Sequence, residues 1–526
     1  MYVTAYGATQ EVTGSFHTIT TSDDTLLLDC GLYQGRRKEC EEKNRHFLVD
    51  PKTISNVILS HAHIDHSGRL PMLTDQGFTG NIFCTRATAD ACAYLLRDSA
   101  NIQAGDCSYL NYKTVKKFLE KAKQGDNPGN ISRAELKEMQ GILKSDDYQS
   151  KRSLIIEVAQ KNNLEIVRPI YSQESVDRCL PAFKGMPYET TFTVGKNTTC
   201  TQYEAGHILG SAISIIQRKT PSGQVKNIMY SGDLGRFDKP IIKDPTLNFA
   251  PEHRNIDLCL MESTYGNRLH EPVASLKPML KKVLTETFER GGSVLIPCFA
   301  FGRTQELIYF LHELYRDGEV PRRPVYIDSP LATNLTTVFG EHPEDYDEAT
   351  HRSFLEMRQS PFSFEHLHFV HNVQESMALN RDPLSNIILA GSGMCEGGRI
   401  LHHLRHRIHD ERNTVLIVGY MGENTFGRLL HEKGKEYAES GRQGDAPMVR
   451  FYGKDYPLRA HVVSLGGLSG HGDRDEMTRV LKDSNLNVKS IALVHGEVEQ
   501  SLAFAEHLRG EGFDVSIPLK GERMPV

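Results

Sequence analysis

Short apolar, β-branched runs alternate along the chain with amphipathic stretches of helical length. Residues 26–28, 57–59, 228–230, 258–261, 294–297, 387–390, 415–418 and 490–494 form the runs, and stretches such as 88–98 and 276–290 lie between them. Runs this short, bounded by turn residues, predict buried strands, and the periodic stretches predict helices. The expected fold is an α/β layered architecture. Several runs end in a chemically capable group: 26–28 leads into Asp29-Cys30-Gly31, 57–59 into His61-Ala62-His63, 228–230 into Ser231-Gly232-Asp233, 258–261 into Glu262, and 490–494 into His495-Gly496. The carboxyl ends of the strands are thus expected to face a site.

The texture changes between about 101 and 180. Residues 114–123 and 132–144 predict charged amphipathic helices, the second opened by a capping box at Ser132 and Glu135. Gly125-Asp126-Asn127-Pro128-Gly129 predicts a turn between them. We read this part as a helical insertion rather than a separate domain.

Bulk properties narrow the class without naming a substrate. The 526 residues suffice for two or more domains. No apolar run approaches the ~20 residues of a membrane helix, so no membrane partner is expected. Residues 1–20 lack the pattern of a signal peptide. Ten cysteines are scattered with no Cys-x-x-Cys pair, and several lie inside apolar runs, which fits a reducing cytoplasm. A net charge of −6 does not advertise a nucleic-acid binder, although a basic groove is compatible with an acidic protein.

The densest chemistry is His61-Ala62-His63-Ile64-Asp65-His66, four potential metal ligands within six residues directly after a strand. In an extended loop alternate residues share a side, so His61 and His63 can meet one ion while Asp65 and His66 turn to a second. Zinc accepts imidazole nitrogen and carboxylate oxygen, and catalytic zinc keeps a position for water.

This hexad resembles the His-x-His-x-Asp-His signature of the metallo-β-lactamase superfamily, and further motifs follow in register. Asp29 resembles the carboxylate that orients the ligand loop, His207 in Gly206-His207-Ile208-Leu209-Gly210 the third motif, and Asp233 the carboxylate that bridges two metals. The resemblance implies a four-layer αββα fold with two Zn2+ ions. One would take His61, His63, His207 and Asp233, and the other Asp65, His66 and Asp233. A hydroxide between the metals would be the nucleophile.

Met261-Glu262-Ser263-Thr264-Tyr265-Gly266, Ser469-Gly470-His471-Gly472-Asp473 and Val494-His495-Gly496-Glu497 resemble the three motifs of the β-CASP nucleases. Their fold carries an inserted α/β domain, implying lactamase parts at 1–266 and 456–526 around an insert at 267–455. Histidine at the third motif is the form of RNA-cleaving members, and His495 would complete the second zinc site. Glu262 would pair with His471, the general acid, with Asp65 also in the catalytic set. The implied activity is hydrolysis of single-stranded RNA in processing or decay, in the cytoplasm. A DNA nuclease of the same fold and a non-catalytic RNA-binding scaffold are the alternatives, and a homodimer is compatible with the resemblance. The small-residue turn at 392–398, before an expected helix from Arg399, offers RNA phosphate contacts at Ser392, Gly393, Met394 and Arg399. The run His402, His403, Arg405, His406, Arg407 and His409 reads either as a solvated helix face or as part of that contact.

Overall fold

The computed structural model describes residues 1–35, 37–123, 137, 152–357 and 360–526. Two seven-stranded sheets lie face to face. The first runs Arg523–Pro525, Tyr2–Ala5, His17–Thr20, Thr25–Leu28, Asn56–Ile58, Ile82–Thr85, Phe183–Met186. The second runs Val515–Ser516, Ile491–Val494, Leu258–Glu262, Val225–Tyr230, Ala212–Lys219, Thr198–Glu204, Thr191–Gly195.

The apolar runs explain the layering, because successive side chains of a strand point to opposite faces. Leu26, Leu28, Ile58, Ile228, Tyr230, Leu258, Leu260 and Val494 meet in one core between the sheets. Their neighbours Leu27, Val57 and Leu59 pack outward into a second core with helices. Met229, Cys259, Met261 and Leu493 pack outward from the other sheet into a third. Strands buried on both faces need unbroken apolar sequence, which is what these runs supply. The αββα order expected from the resemblance is the observed one.

A third sheet, of six parallel strands, runs Leu367–Phe369, Val325–Asp328, Ile387–Ala390, Val294–Pro297, Thr414–Ile417, His461–Ser464. The chain leaves the second sheet after Leu258–Glu262 and re-enters it at Ile491–Val494, the neighbouring parallel strand, with Glu262 beside Val494. Glu262 and His495 therefore flank the inserted region. Its last strand, His461–Ser464, pairs in parallel with Thr414–Ile417.

Residues 88–98 and 114–123, expected as separate helices, belong to one helix, Arg86–Lys123. It contains no proline, and Gly105 faces open space. A lone exposed glycine costs only about 1 kcal/mol relative to alanine, too little to break a long helix. The turn at 125–129 and the capping box at Ser132 and Glu135 lie outside the described residues. No helix among the described residues is long and apolar enough to cross a membrane. All ten cysteines are free, nine of them buried.

Candidate metal centre

Each side chain of the central pocket comes from the carboxyl end of a strand or the loop that follows. Thr25–Leu28 and Asn56–Ile58 are parallel neighbours, and so are Val225–Tyr230, Leu258–Glu262 and Ile491–Val494. The aligned ends bring Asp29, the 61–66 loop, Asp233, Glu262 and His495 together, as open parallel sheets do generally. The loop is extended only as far as His63, which precedes a helical turn, Ile64–Ser67, carrying Asp65 and His66. Close approach needs glycine at two points. A side chain at Gly31 would lie 1.6 Å from the Asp65 carbonyl oxygen, and one at Gly470 would lie 2.9 Å from His207 Cε1.

Ligand atoms converge in two groups that meet at the Asp233 carboxylate, and a third combination joins Asp233 and His495 to His471. His63 Nδ1 lies 3.1 Å from His61 Nε2 and 3.3 Å from His207 Nε2. Asp233 Oδ2 faces this group, 3.4 Å from His61 Nε2 and 3.6 Å from His207 Nε2. Asp233 Oδ1 faces the other way, 3.2 Å from both His66 Nε2 and His495 Nε2. Asp65 joins His66 and His495 in a group whose ligand atoms lie within 4.8 Å of one another.

The donor set fits metal on two grounds. His66 Nε2, His495 Nε2 and Asp233 Oδ1 are buried with no hydrogen-bond partner among the described residues, a cost of about 1–3 kcal/mol each if left so. Burial also holds the imidazoles of His61 and His207 well below their usual pKa and brings His63 to about 4. These rings are neutral at neutral pH, the form that binds metal. For Asp233 burial works against ionisation, but the surrounding imidazoles of His495, His66 and His61 outweigh it and keep the group a carboxylate.

A buried network fixes the rings. Asp29 Oδ2 accepts from Ser60 Oγ (2.8 Å) and Tyr230 Oη (2.5 Å) and lies 2.6 Å from His66 Nδ1, while Asp29 Oδ1 accepts from the Ser60 N–H (2.7 Å). Ser60 Oγ also lies 3.0 Å from His61 Nδ1. With their Nδ1 atoms engaged, His66 and His61 turn Nε2 inward. Asp29 and His495 both have left-handed backbone, φ 58° and 50°. Such conformations cost energy in non-glycine residues and concentrate at functional sites. Ser60 and Tyr230 were not singled out from sequence, although each adjoins a motif. Their polar atoms inside otherwise apolar runs were the available signal.

His471 stands at the edge of the pocket, half-buried, with Nδ1 3.1 Å from Glu262 Oε2 and 3.9 Å from Asp233 Oδ2. Burial pulls its pKa down, but the Glu262 and Asp233 carboxylates outweigh that and bring it up to about 9. Glu262 is wholly buried and is held by the Leu234 N–H at 2.6 Å.

The 392–398 turn lies apart from the pocket, at the carboxyl end of Ile387–Ala390 in the inserted sheet. Ser392 Oγ accepts the Glu396 and Gly397 N–H groups, at 3.0 and 3.2 Å. Arg399 is the first residue of a helix, Arg399–Arg407, and its Nη1 donates to Asp328 at 2.6 Å. His403 Nε2 and Ser376 Oγ reach the same buried carboxylate, at 2.6 and 2.5 Å. His403 and Arg407 are buried, so part of the run from His402 to His409 is interior.

The inserted domain touches the pocket directly. The Phe301 ring lies 6.3 Å from that of His63, and the buried Lys239 ammonium pairs with Glu306 at 3.5 Å, which also binds Arg303. None of these four was expected from sequence as a site residue.

Such a fold around such a pocket defines the metallo-β-lactamase class of metal-dependent hydrolases. Family models agree: the metallo-β-lactamase superfamily matches residues 13–85, the β-CASP domain 304–430, and the Zn-dependent metallo-hydrolase RNA specificity domain 455–518. Ribonuclease TTHA0252 of Thermus thermophilus is 32% identical over 100% of both chains. An RNase J-like protein of Methanocaldococcus jannaschii is 26% identical over 99% of both, and the transcription termination factor FttA of Methanosarcina mazei 27% identical over 94% of this chain and 67% of its own. The chain belongs to the β-CASP family of the metallo-β-lactamase superfamily.

Proposed function

We propose that this chain is a zinc-dependent ribonuclease that hydrolyses phosphodiester bonds of single-stranded RNA at a two-zinc centre. The observation that carries the reading is the division of Asp233, with one oxygen turned to each of two imidazole groups. His61, His63, His207 and Asp233 would hold one ion, and Asp65, His66, His495 and Asp233 the other. When bound, the zinc pair lowers the pKa of a coordinated water from about 15.7 towards 7 and neutralises charge on the attacked phosphate.

The chain's own groups do the rest. Asp29 keeps Nε2 of His66 aimed inward. Glu262 holds His471 by Nδ1, which leaves Nε2 as the atom that gives a proton to the leaving ribose oxygen. With its pKa near 9 the ring carries that proton at neutral pH. Proton transfer of this kind contributes about 10²–10⁴-fold. The 392–398 turn would contact a phosphate through the N–H groups of Gly393 and Met394, with Ser392 and Arg399 shaping the loop from inside.

RNA as substrate is supported by the RNA specificity domain at 455–518 and by the ribonuclease name of the relative from Thermus thermophilus. Free, buried cysteines suit a reducing compartment such as the cytoplasm. The resemblance is also compatible with a homodimer, which sedimentation equilibrium of the full chain tests.

The deciding experiment incubates zinc-loaded protein with end-labelled single-stranded RNA and matched DNA, beside an Asp65→Ala, His66→Ala double variant. RNA cleavage that spares DNA and vanishes in the variant supports the reading. Intact RNA in the presence of fully zinc-loaded protein overturns it.

A further inference from the structure

Two large rings stand exposed where the inserted domain faces the metal pocket. Phe299 is 46% exposed, and among the described residues no other phenylalanine is counted with the exposed large hydrophobics. Tyr420 is 41% exposed. They leave adjacent parallel strands, Val294–Pro297 and Thr414–Ile417, at the carboxyl ends. The Phe299 ring lies against two glycines. A side chain at Gly393 would begin 2.9 Å from the ring, and one at Gly419 would begin 3.9 Å from it. Any larger residue at Gly393 would push the ring away, so one face of Phe299 is pinned to the loops.

The topology marks the same place. From Val294–Pro297 the chain builds Val325–Asp328, Leu367–Phe369 and Ile387–Ala390 on one side, then crosses to Thr414–Ile417 on the other. The crevice where winding direction reverses, outside the carboxyl ends, is where open parallel sheets take their ligands. Phe299 and Tyr420 line that crevice.

A cation completes the arrangement. The Arg268 guanidinium lies 5.7 Å from the Tyr420 ring centre and 5.6 Å from that of Tyr265. It is exposed and forms no ion pair among the described residues. The Tyr265 ring is in turn 6.0 Å from that of His471. The rings and the cation therefore form a path that begins at the catalytic edge and runs onto the inserted domain.

We propose that Phe299 and Tyr420 form a stacking subsite for an unpaired nucleobase next to the scissile phosphate, with Arg268 held between two tyrosines to meet the adjoining phosphate. The inference deepens the ribonuclease reading and rests on it. A flat apolar face accepts any base but demands that the base be free of its partner, so the subsite selects single-stranded RNA without reading its sequence. Arg268 offers a charge already oriented by the flanking rings.

The test uses the full chain in EDTA, so that binding is read without cutting. Single-stranded RNA carries one 2-aminopurine, walked along its length. At one position the wild-type protein quenches the fluorescence. Phe299→Leu and Tyr420→Leu keep the bulk of the side chain, restore the fluorescence and weaken binding about tenfold each. Phe299→Tyr keeps both quenching and affinity. Arg268→Gln weakens binding at low salt, and the difference shrinks as salt rises. Blunt duplex RNA binds wild type and leucine variants alike. Unchanged quenching and affinity in both leucine variants overturn the proposal, and so does equal weakening for duplex. The same RNA is then offered to zinc-loaded protein. RNA that is quenched but not cut supports the stacking subsite and removes the ribonuclease reading, whereas RNA cut without quenching does the reverse.

Discussion

The metal pocket and the 392–399 segment are both clusters of polar groups at the carboxyl ends of parallel strands, yet their interiors are arranged in opposite ways. In the pocket, His66 Nε2, His495 Nε2 and Asp233 Oδ1 are buried with no hydrogen-bond partner among the described residues, while the Asp29 carboxylate behind His66 is bonded through both of its oxygens. In the segment, Ser392 Oγ accepts the loop's own N–H groups and Arg399 Nη1 is held by Asp328. Orphaned polar atoms in a bonded setting point to something that binds there. Satisfied ones point to the scaffold. The two regions look alike in sequence, and only the accounting of hydrogen bonds separates them.

That contrast can be broken in several places. The largest effect is expected at Asp233, because it serves both groups: Asp233→Ala should take bound zinc from two ions per chain to one or none, measured by plasma mass spectrometry. RNA cleavage should fall to the detection limit. Retention of two ions would mean that the carboxylate is not shared. His471→Ala should lower kcat by about 10²–10⁴-fold. Its zinc content should stay at the wild-type value, since the ring is held by Glu262 at the pocket's edge. Zinc loss in that variant would make His471 a ligand instead.

Tyr230→Phe removes one hydroxyl from Asp29 and nothing from the pocket lining. Zinc affinity, read by competition with a chelating dye, should weaken about tenfold, as outer-shell changes commonly do. Smallest in functional terms, Arg399→Gln should leave zinc content and kcat unchanged, raise KM modestly through the loosened 392–398 loop, and lower stability by about 1.5–3 kcal/mol, the range for a hydrogen bond to a charged group. Urea unfolding followed by circular dichroism measures it. A lost cleavage rate with unchanged stability would move Arg399 from scaffold to substrate.

Much of the pocket was legible because its ligands are local in sequence or end an apolar run. His61 to His66 sit within six residues, and Asp29, Asp233, Glu262 and His495 each close a strand, so pattern and position agree. The layering was legible for a similar reason, since strands buried on both faces must be continuously apolar. What was not legible depends on partners distant in sequence. The pairing of Arg399 with Asp328 could not be read, because Asp328 lies 71 residues away. Lys239 gave no hint of its buried pairing with Glu306 on the inserted domain. The long helix Arg86–Lys123 was read as two, since its polar surface between 98 and 114 weakened the periodicity without breaking the backbone.

The core under the cleft has a further consequence. Ile208, Leu209, Ile241 and Ile242 of the first domain belong to the same buried cluster as Phe301, Phe339 and Tyr346 of the inserted one. Domains that share a large apolar interface do not swing freely, because separation exposes that surface to water. Heating should therefore melt both in a single calorimetric transition, with equal van't Hoff and calorimetric enthalpies. An inserted domain excised at its boundaries would lose part of its own interior. The insertion is fused into the cooperative unit of its host, so changes that suit one half must remain compatible with the folding of the other.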